Sequence, residues 1–138
     1  MKKASIEHTV SMAELDGMRA VYHTNFIKWF DSARTELFRE AGVRMDLWEE
    51  GGILLPLVVC HCEYAEGAHF DDPLRITAEV TEVRGKVITI DYEIINLDTG
   101  HIISTGQTKQ VFCDADNKSF KLEERYPEIY QNLIAEEE

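Results

Sequence analysis

The residues best placed to do chemistry lie between Glu14 and Glu36, in ELDGMRAVYHTNFIKWFDSARTE. Asp16 stands in an Asp-Gly turn signal, and His23 follows seven residues later, just before a helical pattern begins. The first turn of a helix leaves backbone N–H groups without intrahelical acceptors, and the helix dipole adds partial positive charge there. A carboxylate beside such a terminus has the parts for acyl transfer. One group serves as base or nucleophile, and the donors face a developing oxyanion. The bland reading uses the same residues, since Asp-Gly is common in plain turns and a histidine before a helix is often a surface or capping residue.

The elements that must position these residues follow from periodicity. Phe26, Phe30, Ala33, Leu37 and Ala41 fall on one face at helical spacing, so a helix is expected from Phe26 to Ala41. Thr24 and Asn25 are competent N-caps, and Gly42 sits where a terminating glycine belongs. A short helical piece, Arg44 to Glu50, is expected to stop at Gly51-Gly52. Strands are expected over Ser5–Met12, Leu57–Tyr64, Leu74–Val83, Val87–Ile95 and Ile102–Cys113, with a terminal helix from Glu128 to Leu133 opened by Pro127. Leu74, Ile76, Ala78 and Val80 share one face, as do Ile88, Ile90, Tyr92 and Ile94. One strand, one helix and four strands on short connections make an α+β chain with an antiparallel sheet and the helix across one face.

At 138 residues the chain reads as a single domain, 1–138. A formal net charge of -12, from 26 acidic and 14 basic residues, argues against nucleic acid and against an anionic membrane surface. No signal-peptide pattern and no run of about 20 apolar residues occurs, so no membrane insertion is expected. Three cysteines, an odd number at low density, fit a reducing cytoplasm. Cys60-His61-Cys62 is a poor metal site, because strand alternation sends His61 to the face opposite the cysteines; buried strand cysteines are expected instead. Neither G-x-S-x-G nor a phosphate-binding glycine motif is present. Glu36 reads as a second acid or an ion-pair partner, and Trp29 and Trp48 as packing residues. Arg84 and Lys86 flank a hairpin turn at Gly85, where charged tips are usually just solvated. The last strands lack a protective proline, which favours an oligomer with the sheet continued across subunits.

Asp16, Val21-Tyr22-His23, Asn25-Phe26, Trp29 and Ala33-Arg34-Thr35-Glu36 resemble the signature of the 4-hydroxybenzoyl-CoA and Tol-Pal-associated acyl-CoA thioesterases. Glu82 to Gly85 and Ser104 to Asp114 resemble that family's turn and last strand, so the likeness covers most of the chain. It implies the hotdog fold, one long helix wrapped by a curled five-stranded antiparallel sheet. It also implies hydrolysis of an acyl-CoA without metal or cofactor, in a homodimer or homotetramer with the acyl chain in a tunnel at a subunit boundary. Asp16 would act as nucleophile or general base, and the His23 N–H would polarise the thioester carbonyl. Tyr22 and Asn25 would border the substrate, and Arg84 and Lys86 would meet the CoA phosphates. One residue departs from the pattern. Arg19 stands where the family has a glycine, suggesting a reshaped site entrance with a cation near the substrate. Two other readings remain open: a hydratase or dehydratase using His23 and a carboxylate, and a non-catalytic acyl-CoA-binding module.

Overall fold

A computed structural model describes residues 1–43 and 53–136. Strand β1 (Lys3–Thr9) leads through a 3-10 turn (Met12–Glu14) to helix α1 (Thr24–Glu40). Strands β2 (Leu57–Tyr64), β3 (Pro73–Arg84), β4 (Val87–Asn96) and β5 (Ile102–Val111) follow, then the short helices α2 (Leu122–Arg125) and α3 (Pro127–Ile134). The strands form one antiparallel sheet in the order β1-β3-β4-β5-β2. The expected piece Arg44–Glu50 and Trp48 lie outside the described residues.

The helix forms where the apolar stripe predicts, and Phe26, Phe30, Ala33, Leu37 and Ala41 are all buried. Its start differs from expectation. The N-cap is His23, already in helical conformation and without a side-chain cap bond, while Thr24 is the first helical residue. Asn25 does not cap because its amide is drawn across the chain to the Glu14 carbonyl at 3.2 Å. The C-terminus ends as the sequence indicates. Gly42 adopts φ 93°, its N–H donates to the Arg39 carbonyl, and Val43 N–H donates to Phe38. Asn132 on α3 closes the end by donating to the Ala41 carbonyl at 2.9 Å.

The core faces of β3 and β4 are those the alternation predicts, with Leu74, Ile76, Ala78, Val80, Ile88, Ile90, Tyr92 and Ile94 all buried. Register shifts between Val80 and Glu82 on β3 and between Leu57 and Val59 on β2 break the ladder locally. Such bulges bend and twist a strand, which here curls the sheet around α1. The helix packs over β1 and β3, at one side of the sheet. Where β5 runs beneath Phe30, the close approach depends on Gly106. A Cβ built there would lie 2.5 Å from the Phe30 ring and 2.8 Å from the His61 carbonyl oxygen. Phe30 also stacks on Tyr92, with centroids 4.6 Å apart.

Two expectations about the edges need correction. The last strand is not an edge, since β5 lies between β4 and β2; the edges are β1 and β2. Cys60 is exposed rather than buried, and Cys62 is half-buried, because no described element lies beyond β2 at that edge of the sheet. Only Cys113 is buried. Chain order hid this arrangement, since β2 crosses over to pair with the last strand instead of its neighbour in sequence.

Candidate active site

The Asp16 segment folds as a tight hairpin clipped to the chain that enters α1. Leu15 and Val21 form an antiparallel bridge, Asp16 N–H donates to the Ala20 carbonyl at 2.8 Å, and Tyr22 N–H donates to the Glu14 carbonyl at 2.9 Å. His23 is the next residue, so the hairpin places Asp16 three ladder steps, roughly 10 Å of backbone, from the start of α1. The far side of the hairpin is held by Val21 N–H to the Ala68 carbonyl at 2.9 Å and by an Ala20–His69 bridge. At the tip, Asp16 Oδ1 accepts from Met18 N–H at 2.7 Å and Ala20 N–H at 3.3 Å. These bonds hold the carboxylate in a fixed direction on an exposed loop and use only one of its oxygens.

Arg19 takes φ 65°, the left-handed region that an L side chain visits at a cost and glycine enters freely. This accounts for a glycine at that step in the resembling family. Arg19 keeps the same turn, donates its N–H to the Asp16 carbonyl at 3.1 Å, and exposes its side chain beside the carboxylate loop.

At the helix start, no described residue accepts a hydrogen bond from the N–H of His23 or Thr24. The His23 ring does not bond Asp16. It packs against Tyr22, with centroids 4.6 Å apart, and lies edge-on to Tyr64 at 6.5 Å. The Tyr64 hydroxyl donates to the His23 carbonyl at 3.5 Å. Burial, with the nearby thiols of Cys62 and Cys60, pushes this phenol up to about 12, so it remains a donor. A cleft of ≈ 290 Å³ opens here, lined by Val21, His23, Phe26, Tyr64, Ala65, Glu66 and Gly67. Donors at a helix start, an apolar wall and a carboxylate on the adjoining hairpin are the parts for attack on an acyl carbonyl. Among the described residues, no group of three His, Cys, Asp or Glu side chains could hold a metal.

Of the other expected residues, Tyr22 is exposed beside His23, whereas Asn25 is engaged with Glu14. Arg84 and Lys86 are not brought to this site. They sit at the β3–β4 tip, and β3 runs from Pro73, beside the end of β1, for 12 residues to Arg84, roughly 35 Å away. Lys86 lines a ≈ 530 Å³ hollow with Phe120, Lys121 and Arg125. A further hollow of ≈ 520 Å³ includes Glu79, Asp91 and Gln107 and lies away from Asp16. Glu36 pairs with Arg39 on the helix surface.

Sequence reasoning missed Glu14, the residue that holds the hairpin to the rest of the molecule. Its carboxylate meets His8 Nε2 of β1 at 2.8 and 2.9 Å, and accepts from Ser11 N–H at 2.8 Å and Trp29 Nε1 of α1 at 3.1 Å. The signal was the Ser-x-x-Glu capping box, Ser11 to Glu14, at a 3-10 turn. Burial raises this carboxyl, but the bonds from Ser11, His8 and Trp29 outweigh it and hold it below the ordinary 4.5. A depressed folded pKa contributes stability that is present above the ordinary value and is lost as pH falls through the folded value. Wild type should therefore be more stable than Glu14→Gln at pH 7, with the gap shrinking below about pH 4.5. Urea melts of both proteins across that range check this. A gap independent of pH would mean that the charge of Glu14 contributes nothing.

Residues 10–133 match the thioesterase-like superfamily, and the chain belongs to it. It is by class a thioester hydrolase with the hotdog fold. A putative acyl-CoA thioesterase of Bacillus subtilis is 30% identical over 121 residues, covering 88% of this chain and 84% of that protein. The fold superposes on a DHNA-CoA thioesterase from Staphylococcus aureus with a TM-score of 0.88 at 24% identity, covering 96% of this chain and 89% of the other. A second Staphylococcus aureus protein, solved in complex with CoA, superposes with a TM-score of 0.84 at 17% identity, covering 98% and 84%. None of the described helices is long and apolar enough to cross a membrane.

Proposed function

We propose that this chain hydrolyses an acyl-CoA thioester, as the 4-hydroxybenzoyl-CoA and Tol-Pal-associated thioesterases do, with Asp16 as the reacting carboxylate. The observation that carries this reading is the hairpin that fixes Asp16 to the chain entering α1, where no described residue accepts from the N–H groups of His23 and Thr24. The thioester carbonyl oxygen points at those donors, where the helix dipole favours the negative charge that develops on attack. In the nucleophilic route an Asp16 oxygen bonds the carbonyl carbon and the carbon–sulfur bond breaks, releasing CoA thiolate to take a proton. Water then hydrolyses the Asp16 anhydride. In the general-base route Asp16 takes a proton from water as the water attacks directly. Neither route requires a metal or redox cofactor, and the chain is read as a cytoplasmic enzyme.

The nucleotide end of the substrate needs cations on a chain of net charge -12. Arg19 is the one the fold sets beside Asp16. Arg84 and Lys86 are too distant to serve the same chain's site, and fit the CoA phosphates only of a substrate bound to another subunit. A screen for free thiol over short, long and aromatic acyl-CoAs tests the reading. Release with any of them supports it. Water addition to an enoyl-CoA without thiol release would make the chain a hydratase, and binding without turnover would make it an acyl-CoA-binding module.

The acyl group also requires a wall that the described residues of one chain leave open. Strand β2 is an edge with Leu57, Val58, Val59 and Tyr64 between 44% and 56% exposed. An apolar, unpaired edge is a template for pairing with another strand. A homodimer, or a tetramer built from it, would pair β2 with its copy and close the inner face of β2 and β5. Val58→Lys should then sediment as a monomer at micromolar concentration where wild type is at least a dimer. A wild-type monomer would overturn the assembly.

A further inference from the structure

We propose that Glu14 is the positioning residue of the site: its carboxylate clamps the arm that carries Asp16 onto α1, and so fixes where the reacting carboxylate stands relative to the helix start. This rests on the Asp16 hydrolase reading above. The need for a clamp follows from how little else holds Asp16. Its Oδ1 accepts from Met18 and Ala20 N–H, and both donors belong to the same hairpin tip. Those bonds move with the tip and fix nothing relative to α1. Among the described residues, no donor outside the hairpin reaches the carboxylate. The returning arm is tied at Ala20 and Val21, to His69 and Ala68. The arm that carries Asp16 is tied at Glu14.

Glu14 meets α1 twice. Its Oε2 accepts from Trp29 Nε1 at 3.1 Å, and its main-chain carbonyl accepts from Asn25 Nδ2 at 3.2 Å. It meets β1 through His8, whose Nε2 lies 2.8 Å from Oε1 and 2.9 Å from Oε2. Ser11 gives Oε1 its N–H at 2.8 Å and its hydroxyl at 3.2 Å. Two oxygens thus face four donors, and a carboxylate, which only accepts, suits that set. An amide would turn an N–H2 group toward at least one of them. The side chain is 16% exposed, so water does not make good an acceptor lost there. The clamp also reaches the cleft. The Trp29 ring lies 5.1 Å from His8 and edge-on to Phe26 at 5.3 Å, and Phe26 lines the cleft. The size of the effect follows from the lever. Asp16 lies two residues beyond Glu14, roughly 7 Å along the arm. A tilt of about 10° about the returning arm displaces it by about 1 Å, and a misplacement of that size costs about 100-fold in rate.

The experiment is a double-mutant cycle on thiol release at pH 7, with wild type, Glu14→Gln, Asp16→Asn and the double variant, each shown to be folded by its thermal melt. Glu14→Gln alone should lower kcat by about 10- to 100-fold and leave KM within about twofold, because a misplaced Asp16 still admits substrate. In the Asp16→Asn background the same change should cost less than about twofold, since no reacting carboxylate is left to position. A merely structural role would cost the same factor in both backgrounds. That outcome, or a kcat for Glu14→Gln within about twofold of wild type, would overturn the proposal. Trp29→Phe removes one donor and keeps an aromatic ring against His8 and Phe26; it carries the same cycle, with a smaller loss, if Glu14→Gln does not fold. If wild type releases no thiol, or Asp16→Asn releases it as fast as wild type, the hydrolase reading has failed instead. The clamp is then judged by amide hydrogen exchange. Met18 and Ala20 N–H exchanging about 10-fold faster in Glu14→Gln than in wild type, with β4 amides unchanged, keeps Glu14 as the group that fixes the tip, and equal rates reject it.

Discussion

Asp16→Asn should fold as wild type does and lose about 10² to 10⁴ of its hydrolytic rate. The amide is nearly isosteric with the carboxylate. Its Oδ1 can still accept from Met18 and Ala20 N–H, the two bonds that shape the hairpin tip. The hairpin has other anchors, at Leu15–Val21, Ala20–His69 and Glu14, so its position does not depend on the carboxylate charge. What the amide cannot do is attack a carbonyl carbon or accept a proton from water. The loss should fall on kcat, since Asp16 is not needed to hold the nucleotide. Stopped thiol release, with an unchanged thermal melt as the folding control, makes the measurement. Activity within a few-fold of wild type would reduce Asp16 to a turn residue and leave the α1 terminus without a reacting partner.

Gly106→Ala should be among the most damaging single substitutions in the chain, destabilising it by about 2–3 kcal/mol. The added methyl would meet the Phe30 ring at 2.5 and 2.9 Å and the His61 carbonyl at 2.8 Å. Relief by moving Phe30 is closed off, because the ring is 1% exposed and stacked on Tyr92. Relief by moving the backbone would disturb the pairing of Gly106 with Cys62 on β2 and with Tyr92 on β4. Gly106 has no left-handed conformation to protect, so the cost is purely steric. Denaturant unfolding of the variant checks the magnitude. A change below about 0.5 kcal/mol would show that the helix can lift from β5 without consequence.

The contrast between Gly106 and Phe26–Ala41 shows what a one-dimensional pattern carries. The helix stripe, its terminating Gly42 and the alternating core faces of β3 and β4 were legible because each depends on residues a few positions apart. Local spacing maps directly onto one face of a helix or strand. The Asp16 turn and its closeness to His23 were legible for the same reason, since seven residues of hairpin keep them together whatever the rest of the chain does. Gly106 gave no such signal. Its role arises from a helix residue 76 positions earlier and the backbone of a β2 residue 45 positions earlier.

The amino-acid order by itself thus determined an α+β chain, one long helix over an antiparallel sheet, and a carboxylate turn placed next to a helix start. Tertiary structure decided three further matters. It put β2, not the last strand, at the sheet edge, because β2 pairs with β5 across a crossover that no local periodicity records. It separated Arg84 and Lys86 from Asp16 by the length of β3, since the sheet runs between them. It joined His8, Ser11, Glu14 and Trp29 into one clamp beneath the hairpin, a meeting of strand, turn and helix. Hydrogen bonding and packing between elements distant in sequence fix all three, and these are set by the register and crossing of whole elements rather than by the spacing within any one of them.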